Sequence, residues 1–179
     1  MAKRFPGDRV ELLKAWSRLF TTIQSQFVLS GFVLTTPAQG GDLPFSNPGL
    51  TKPRVLVADD NPAMLKTVVS LLSPDFEVVG AVNDGRAALE AAVRLQPEIA
   101  VLDISMPGLN GIQAAERIKE NENCSTQIVF LTANNDREIV EAALATGALG
   151  YVLKLRLYLD LIPAIKFALA GRCLVSPTP

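Results

Sequence analysis

The stretch Val55-Leu56-Val57-Ala58-Asp59-Asp60-Asn61-Pro62 runs four apolar residues into two carboxylates and an Asn-Pro pair. Four apolar residues are too few for a helix and fit a strand buried on both faces. Asn61-Pro62 helps to start a helix, and Asp59 is itself of a type that caps one. Met64, Leu65, Val68, Val69, Leu71 and Leu72 follow at helical spacing and give that helix one wide apolar face. The same unit recurs downstream. Apolar runs at Val78–Val82, Ile99–Leu102, Ile128–Leu131 and Tyr151–Leu153 alternate with helical patterns over Arg86–Leu95, Ile112–Lys119, Arg137–Ala145 and Leu161–Leu169. Ala87, Ala88, Ala91 and Ala92 suit close packing of helix on sheet. Strands that alternate with helices require right-handed crossovers, so the pattern predicts a (βα)5 doubly wound parallel sheet of the α/β class.

In such sheets the working crevice lies at the carboxyl ends of the strands. The first run ends in Asp59-Asp60, the third in Asp103, the fourth in Thr132 and the fifth in Lys154, all bound for one rim. Three carboxylates crowded together repel, and they stay ionised at neutral pH only where a hard cation or an ammonium offsets them. Mg²⁺ is the natural occupant, since it takes carboxylates, waters and phosphate oxygens in octahedral array. Each residue alone has a plainer reading: Asp103 as a turn former before Met106-Pro107-Gly108, Lys154 as a solvated charge, Thr132 as a strand-end hydroxyl and Tyr151 as core. Their coincidence at strand ends is what argues for a site.

The rest of the chain bounds the alternatives. With 179 residues, 49% of them apolar, it can bury one good core, against a prior of roughly 100–200 residues per domain. The net charge of −1 gives no chain-wide field suited to nucleic acid. Cys124 and Cys173 stand apart, and no histidine occurs, which leaves zinc sites and His-dependent catalysis nothing to use. A reduced cytoplasmic protein is expected. The apolar run Phe27 to Leu34 is far short of the ~18 residues of a membrane helix. Lys3, Arg4, Lys14 and Arg18 before it and Thr35-Thr36-Pro37-Ala38 after it offer a signal peptide as the weaker reading, disfavoured because the charges lie too far upstream and the sequence downstream reads as cytoplasmic.

Residues 1–36 read as an N-terminal extension. Within it Leu12, Leu13, Trp16, Leu19, Phe20 and Ile23 fall at helical spacing between Val10 and Phe27, a short amphipathic helix or a loosely ordered extension. Residues 1–51 carry five basic side chains against three acidic ones. Pro and Gly punctuate residues 37–53 as a linker, which leaves 54–177 for the globular unit.

Four blocks in order carry a resemblance: Val55 to Asn61; Leu102-Asp103-Ile104-Ser105-Met106-Pro107-Gly108-Leu109-Asn110-Gly111; Val129-Phe130-Leu131-Thr132-Ala133; and Gly147-Ala148-Leu149-Gly150-Tyr151-Val152-Leu153-Lys154. The chain resembles the response-regulator receiver domain of two-component signalling, which implies a flavodoxin-like sheet of strand order 2-1-3-4-5. The resemblance implies that Asp103 accepts a phosphoryl group from a histidine kinase or phosphotransfer protein. It makes Asp60 a direct Mg²⁺ ligand and Asp59 a supporting one, partly through water, with Asp103 and the backbone carbonyl of Ser105 completing the set. Lys154 would pair with the phosphoryl oxygens, and Thr132 would turn toward them, vacating space for the ring of Tyr151. Output would then leave through the fourth helix, fifth strand and fifth helix.

Two departures matter. Lys154 is followed by Leu155 rather than the proline of many receivers, so no cis Lys-Pro bond is assumed. Ala170-Gly171-Arg172 with Val175-Ser176-Pro177 resembles the subgroup that carries a LuxR-type helix-turn-helix, but Pro179 is the last residue, so direct DNA binding is not expected. Output is expected through protein contacts. The apolar stretch Leu155, Leu157, Tyr158 and Leu159 either serves self-association as a homodimer or packs under the last helix, whose first turns hold Pro163. A phosphoaspartyl-type phosphatase is disfavoured because Ser105, not a carboxylate, stands two residues after Asp103. A degenerate receiver used for dimerisation is argued against by intact Asp60, Asp103, Thr132 and Lys154. Flavin or dinucleotide binding lacks a glycine-rich first turn.

Overall fold

A computed structural model describes residues 51–176. The amphipathic segment expected between Val10 and Phe27 lies outside them, as does most of the linker at 37–53. Strands β1 (Arg54–Ala58), β2 (Glu77–Val82), β3 (Ile99–Leu102), β4 (Gln127–Thr132) and β5 (Gly150–Leu153) alternate with helices α1 (Pro62–Leu72), α2 (Gly85–Leu95), α3 (Gly111–Glu120), α4 (Arg137–Ala145) and α5 (Leu157–Leu169). A two-residue strand β6 (Leu174–Val175) follows. The sheet is parallel throughout, in the order β2-β1-β3-β4-β5-β6. The expected order is therefore present, with one strand more. Two residues are too short a run to register as a strand by pattern, and β6 exists only because its amides meet β5: the Leu174 N–H donates to the Leu149 carbonyl at 3.0 Å and the Ser176 N–H to Tyr151 at 2.8 Å.

Strand side chains alternate between two apolar layers. Leu56, Ala58, Ala100, Leu102, Ile128 and Phe130 pack with Ala88, Ala91 and Ala92 of α2, Ala114, Ala115 and Ile118 of α3 and Ala143 of α4. Val55, Val57, Val101, Val129 and Val152 pack with Val68 and Leu72 of α1 and with Leu161, Ala164, Ile165 and Ala168 of α5. Helices rich in alanine lie close on one face, and the bulkier α1 and α5 cover the other.

Helix starts are set by short polar caps. Asn61 Oδ1 accepts from the N–H groups of Ala63 and Met64, at 3.0 and 3.2 Å, with Pro62 beginning α1. Asp84 and Asp136 cap α2 and α4, and Asn110 forms a reciprocal capping box with Gln113 at α3. Helix α5 differs: it has no side-chain cap and grows out of a 3₁₀ turn, Lys154–Arg156. It begins at Leu157, four residues before the expected Leu161, because Leu157 is buried and Arg156 pairs with Asp160 one turn on. Pro163 consequently sits inside the helix, where its ring removes one backbone bond, rather than in its opening turn. The apolar stretch divides: Leu157 packs in the core, while Leu155, Tyr158 and Leu159 are 86%, 73% and 66% exposed. No helix among the described residues is long and apolar enough to cross a membrane.

Leu161 is fully buried between α5 and the sheet. Leu161→Ala is expected to lower unfolding stability by about 3 kcal/mol through lost burial and the cavity left behind, read from the urea midpoint at unchanged slope.

Candidate functional site: an acidic rim with a shared lysine

Parallel register brings the site together. Ala58 pairs with Leu102 across β1 and β3, so the next residues, Asp59 and Asp103, stand side by side past the strand ends. The Asp103 N–H donates to the Ala58 carbonyl at 2.8 Å, which fixes that adjacency. On the next pair of strands Thr132 is opposite Leu153, placing Lys154 just beyond. One carboxylate oxygen from each of Asp59, Asp60 and Asp103 falls within 4.8 Å of the others. Asp59 and Asp103 are 1% and 3% exposed, whereas Asp60 faces solvent.

Lys154 balances this charge. Its Nζ lies 2.8 Å from Asp103 Oδ2 and 2.8 Å from Asp59 Oδ2, with the side chain 17% exposed. Burial works to lower the lysine pKa, but its close pairing with Asp103, and then with Asp59, outweighs this and holds the ammonium above the usual lysine value. The contact with Asp103 is a hydrogen bond. That with Asp59 is an ion pair without hydrogen-bond alignment, so Asp59 Oδ2 is a buried oxygen left short of a donor. The other oxygens are used locally: Asp59 Oδ1 accepts the Asn61 N–H at 2.9 Å and Asp103 Oδ1 the Ser105 N–H at 3.3 Å. Helix capping therefore falls to Asn61 rather than Asp59, which leaves the acidic pair to the rim. Ser105 is exposed in the loop after β3, two residues from Asp103.

A buried oxygen short of a donor, beside two more carboxylates in an all-oxygen set, fits a hard divalent cation such as Mg²⁺. Asp59, Asp60 and Asp103 are the side chains that would hold it.

Thr132 and Tyr151 meet at a residue that sequence reading passed over. Thr132 Oγ1, fully buried, accepts the Asn134 N–H at 3.1 Å, and the Tyr151 hydroxyl donates to the Asn134 carbonyl at 2.9 Å. The Asn134 side chain in turn accepts the Asp136 N–H at 2.7 Å, pinning the loop into the α4 cap. The Tyr151 ring is already buried in this conformation. Burial, and then the charge of Asp136, push its phenol up to about 12.

Two glycines at helix starts hold the Asp103 loop. A Cβ at Gly111 would lie 2.0 Å from the Asp103 carbonyl oxygen, and one at Gly85 2.0 Å from that of Leu109. Glycine at these points lets α3 and α2 press directly on the loop between residues 103 and 111. Sequence alone marked Gly111 only as a helix entry; the closeness across the loop needs tertiary packing.

Comparison with known proteins agrees with the geometry. Residues 55–165 match the family described as response regulator receiver domain, and the chain belongs to that family, a signalling module of two-component systems. It is similar to the probable transcriptional regulatory protein NarL of Mycobacterium tuberculosis, 37% identical over 74% of this chain and 62% of that protein. It is also similar to the nitrate/nitrite response regulator protein NarL of Escherichia coli, 36% identical over 68% of this chain and 57% of that one. The chain thus spans about three fifths of the length of these curated relatives. Among solved structures, the signal receiver domain of the putative response regulator NarL from Mycobacterium tuberculosis superposes with a TM-score of 0.65 at 35% identity, over 69% of this chain and all of that one. The isolated REC domain of RcsB from Salmonella enterica serovar Typhimurium, determined with the phosphomimetic BeF3−, gives 0.64 at 30% identity, over 70% and 94% of the two chains.

Two outcomes are expected. Gly111→Ala should cost about 1–3 kcal/mol in denaturant unfolding, since the added methyl has only the Asp103 backbone to displace. The raised Tyr151 pKa means that its stabilising effect is complete below pH 10 and is lost as pH rises toward about 12. Tyr151→Phe should therefore flatten the alkaline decline of stability over that window, followed by unfolding at stepped pH.

Proposed function

We propose that this protein is a phosphorylation-dependent switch in which Asp103 accepts a phosphoryl group from a histidine kinase or phosphotransfer protein. The observation that carries this reading is the shared Lys154 ammonium, 2.8 Å from both Asp103 and Asp59 on an otherwise acidic rim. In the transfer, an Asp103 carboxylate oxygen forms a bond to phosphorus. The bond from phosphorus to the donor's imidazole nitrogen breaks, and that nitrogen keeps the electron pair. Asp59, Asp60 and Asp103, with the Ser105 carbonyl, would hold Mg²⁺, which would supply charge neutralisation for an incoming anion. Lys154 orients the acceptor and pairs with the phosphoryl oxygens, and the Thr132 hydroxyl, which accepts from Asn134, retains its own proton to donate to them. The reaction is one phosphoryl transfer onto the protein itself, followed at most by self-catalysed hydrolysis, and not turnover of a free substrate.

The shared attachment of Thr132 and Tyr151 to Asn134 supports output through α4, β5 and α5. A groove lined by Asn135, Arg137, Val140, Tyr151 and Val175 lies on that side. Exposed Leu155, Tyr158 and Leu159 support self-association in the phosphorylated state. A reduced cytoplasmic setting fits a partner kinase and two cysteines that are both free.

Incubation with a small phosphoryl donor and Mg²⁺, followed by intact mass, should show one added phosphate that Asp103→Asn abolishes; persistent labelling of that variant would sink the assignment. Sedimentation with a phosphoryl mimic should show a heavier species than without it.

A further inference from the structure

Lys154 opens the 3₁₀ turn Lys154–Arg156, and leucine, not a ring-stiffened proline, follows it. Side chains supply the order instead. Arg156 donates through Nε to Asp160 Oδ2 at 2.6 Å and through Nη2 to Asp160 Oδ1 at 3.1 Å, a two-pronged clamp from the turn into α5. The Ser176 hydroxyl donates to the same Asp160 Oδ2 at 2.6 Å. Ser176 Oγ in turn accepts the backbone N–H of Leu153 at 3.3 Å. Leu153 immediately precedes Lys154, and Arg156 stands two residues after it. One connected network therefore holds the backbone on both sides of the lysine. Ser176 is buried, and the Asp160 side chain nearly so. Strand β6 acquires a purpose in this arrangement: its pairing of Tyr151 with Val175 delivers the Ser176 hydroxyl to Leu153 and Asp160.

We propose that Arg156, Asp160 and Ser176 are positioning residues for Lys154, fixing the backbone around it so that its ammonium is held against Asp103 and Asp59. The inference rests on the reading of Asp103 as phosphoryl acceptor and extends it to three side chains outside the acidic rim. A lysine stem is long and freely rotating, so where its ammonium comes to rest depends on how firmly the chain beneath it is set.

Ser176→Ala and Asp160→Asn in the full chain test this. Ser176→Ala keeps the Ser176 N–H bond to the Tyr151 carbonyl, so the pairing of β6 is retained. Three measurements are made: hydrogen exchange at the Leu153 amide, Mg²⁺ affinity by calorimetry, and the rate of phosphate addition from a small phosphoryl donor by intact mass. Both variants should speed exchange at Leu153 and slow phosphate addition about fivefold, the scale of one ordinary hydrogen bond lost. Mg²⁺ should bind about threefold more tightly, because the ammonium no longer competes for the carboxylates. General loosening of the fold would weaken Mg²⁺ binding instead, and that result would overturn the proposal. Lys154→Ala should shift both quantities in the same directions, and adding Ser176→Ala to it should change neither further. Full additivity of the two, or unchanged Mg²⁺ affinity in the single variants, also overturns it, whereas recovery in Ser176→Thr supports it. If the unmodified chain takes up no phosphate, the acceptor reading fails alone, and the exchange and Mg²⁺ measurements still decide the positioning role.

Discussion

Two carboxylates lie buried next to each other at the end of a sheet that is otherwise hydrocarbon, and the rim around them is built to tolerate that. Asp59 and Asp103 are adjacent because β1 and β3 are paired in parallel and in register up to Ala58 and Leu102. A buried charge without a partner costs about 3–5 kcal/mol, so adjacency of two demands a cation. Lys154 brings one ammonium to both, and it does so from the far side of β4, across the width of the sheet. The strand order is thus tied to the charge balance: only with β3 between β1 and β4, and β5 beyond, do the first, third and fifth strand ends converge.

The same rim is rigid where it must be. The loop after Asp103 is pressed by the starts of α2 and α3 through Gly85 and Gly111, with carbonyl oxygens occupying the space a methyl group would need. Alanine-rich helix faces on that side of the sheet allow the close approach, and the bulkier apolar faces of α1 and α5 fill the other side. Packing on one face therefore sets the loop after Asp103, while α5 on the other face anchors the turn that carries Lys154.

Between the rim and the sheet edge the connection is made by backbone. Asn134 receives Tyr151 on its carbonyl and gives its N–H to Thr132, so a change at the Thr132 hydroxyl and a change at the Tyr151 ring act on the two peptide groups that flank one residue. Beyond Tyr151 the sheet continues into β6 rather than ending at β5, and β6 returns through Ser176 to the residue before Lys154. Rim, loop and edge form a circuit of hydrogen bonds instead of a one-way path.

How much of this was legible beforehand follows from the range of the forces involved. Alternating apolar runs and amphipathic patterns determined the five strands and five helices, because burial periodicity is a local property of the chain. Polar residues directly after those runs determined that Asp59, Asp60, Asp103, Thr132 and Lys154 would share one rim, since parallel strands all end on the same side. Local pattern did not reveal β6, whose two residues become a strand only by meeting β5, nor the start of α5 at Leu157, set by burial and by Arg156 pairing with Asp160. Asn134, Gly85 and Ser176 look ordinary in sequence, and their importance comes from atoms 17 to 24 residues away along the chain. Sequence determined which residues meet; tertiary structure decided how they are held, because register, close approach and shared hydrogen bonds exist only once distant segments are packed together.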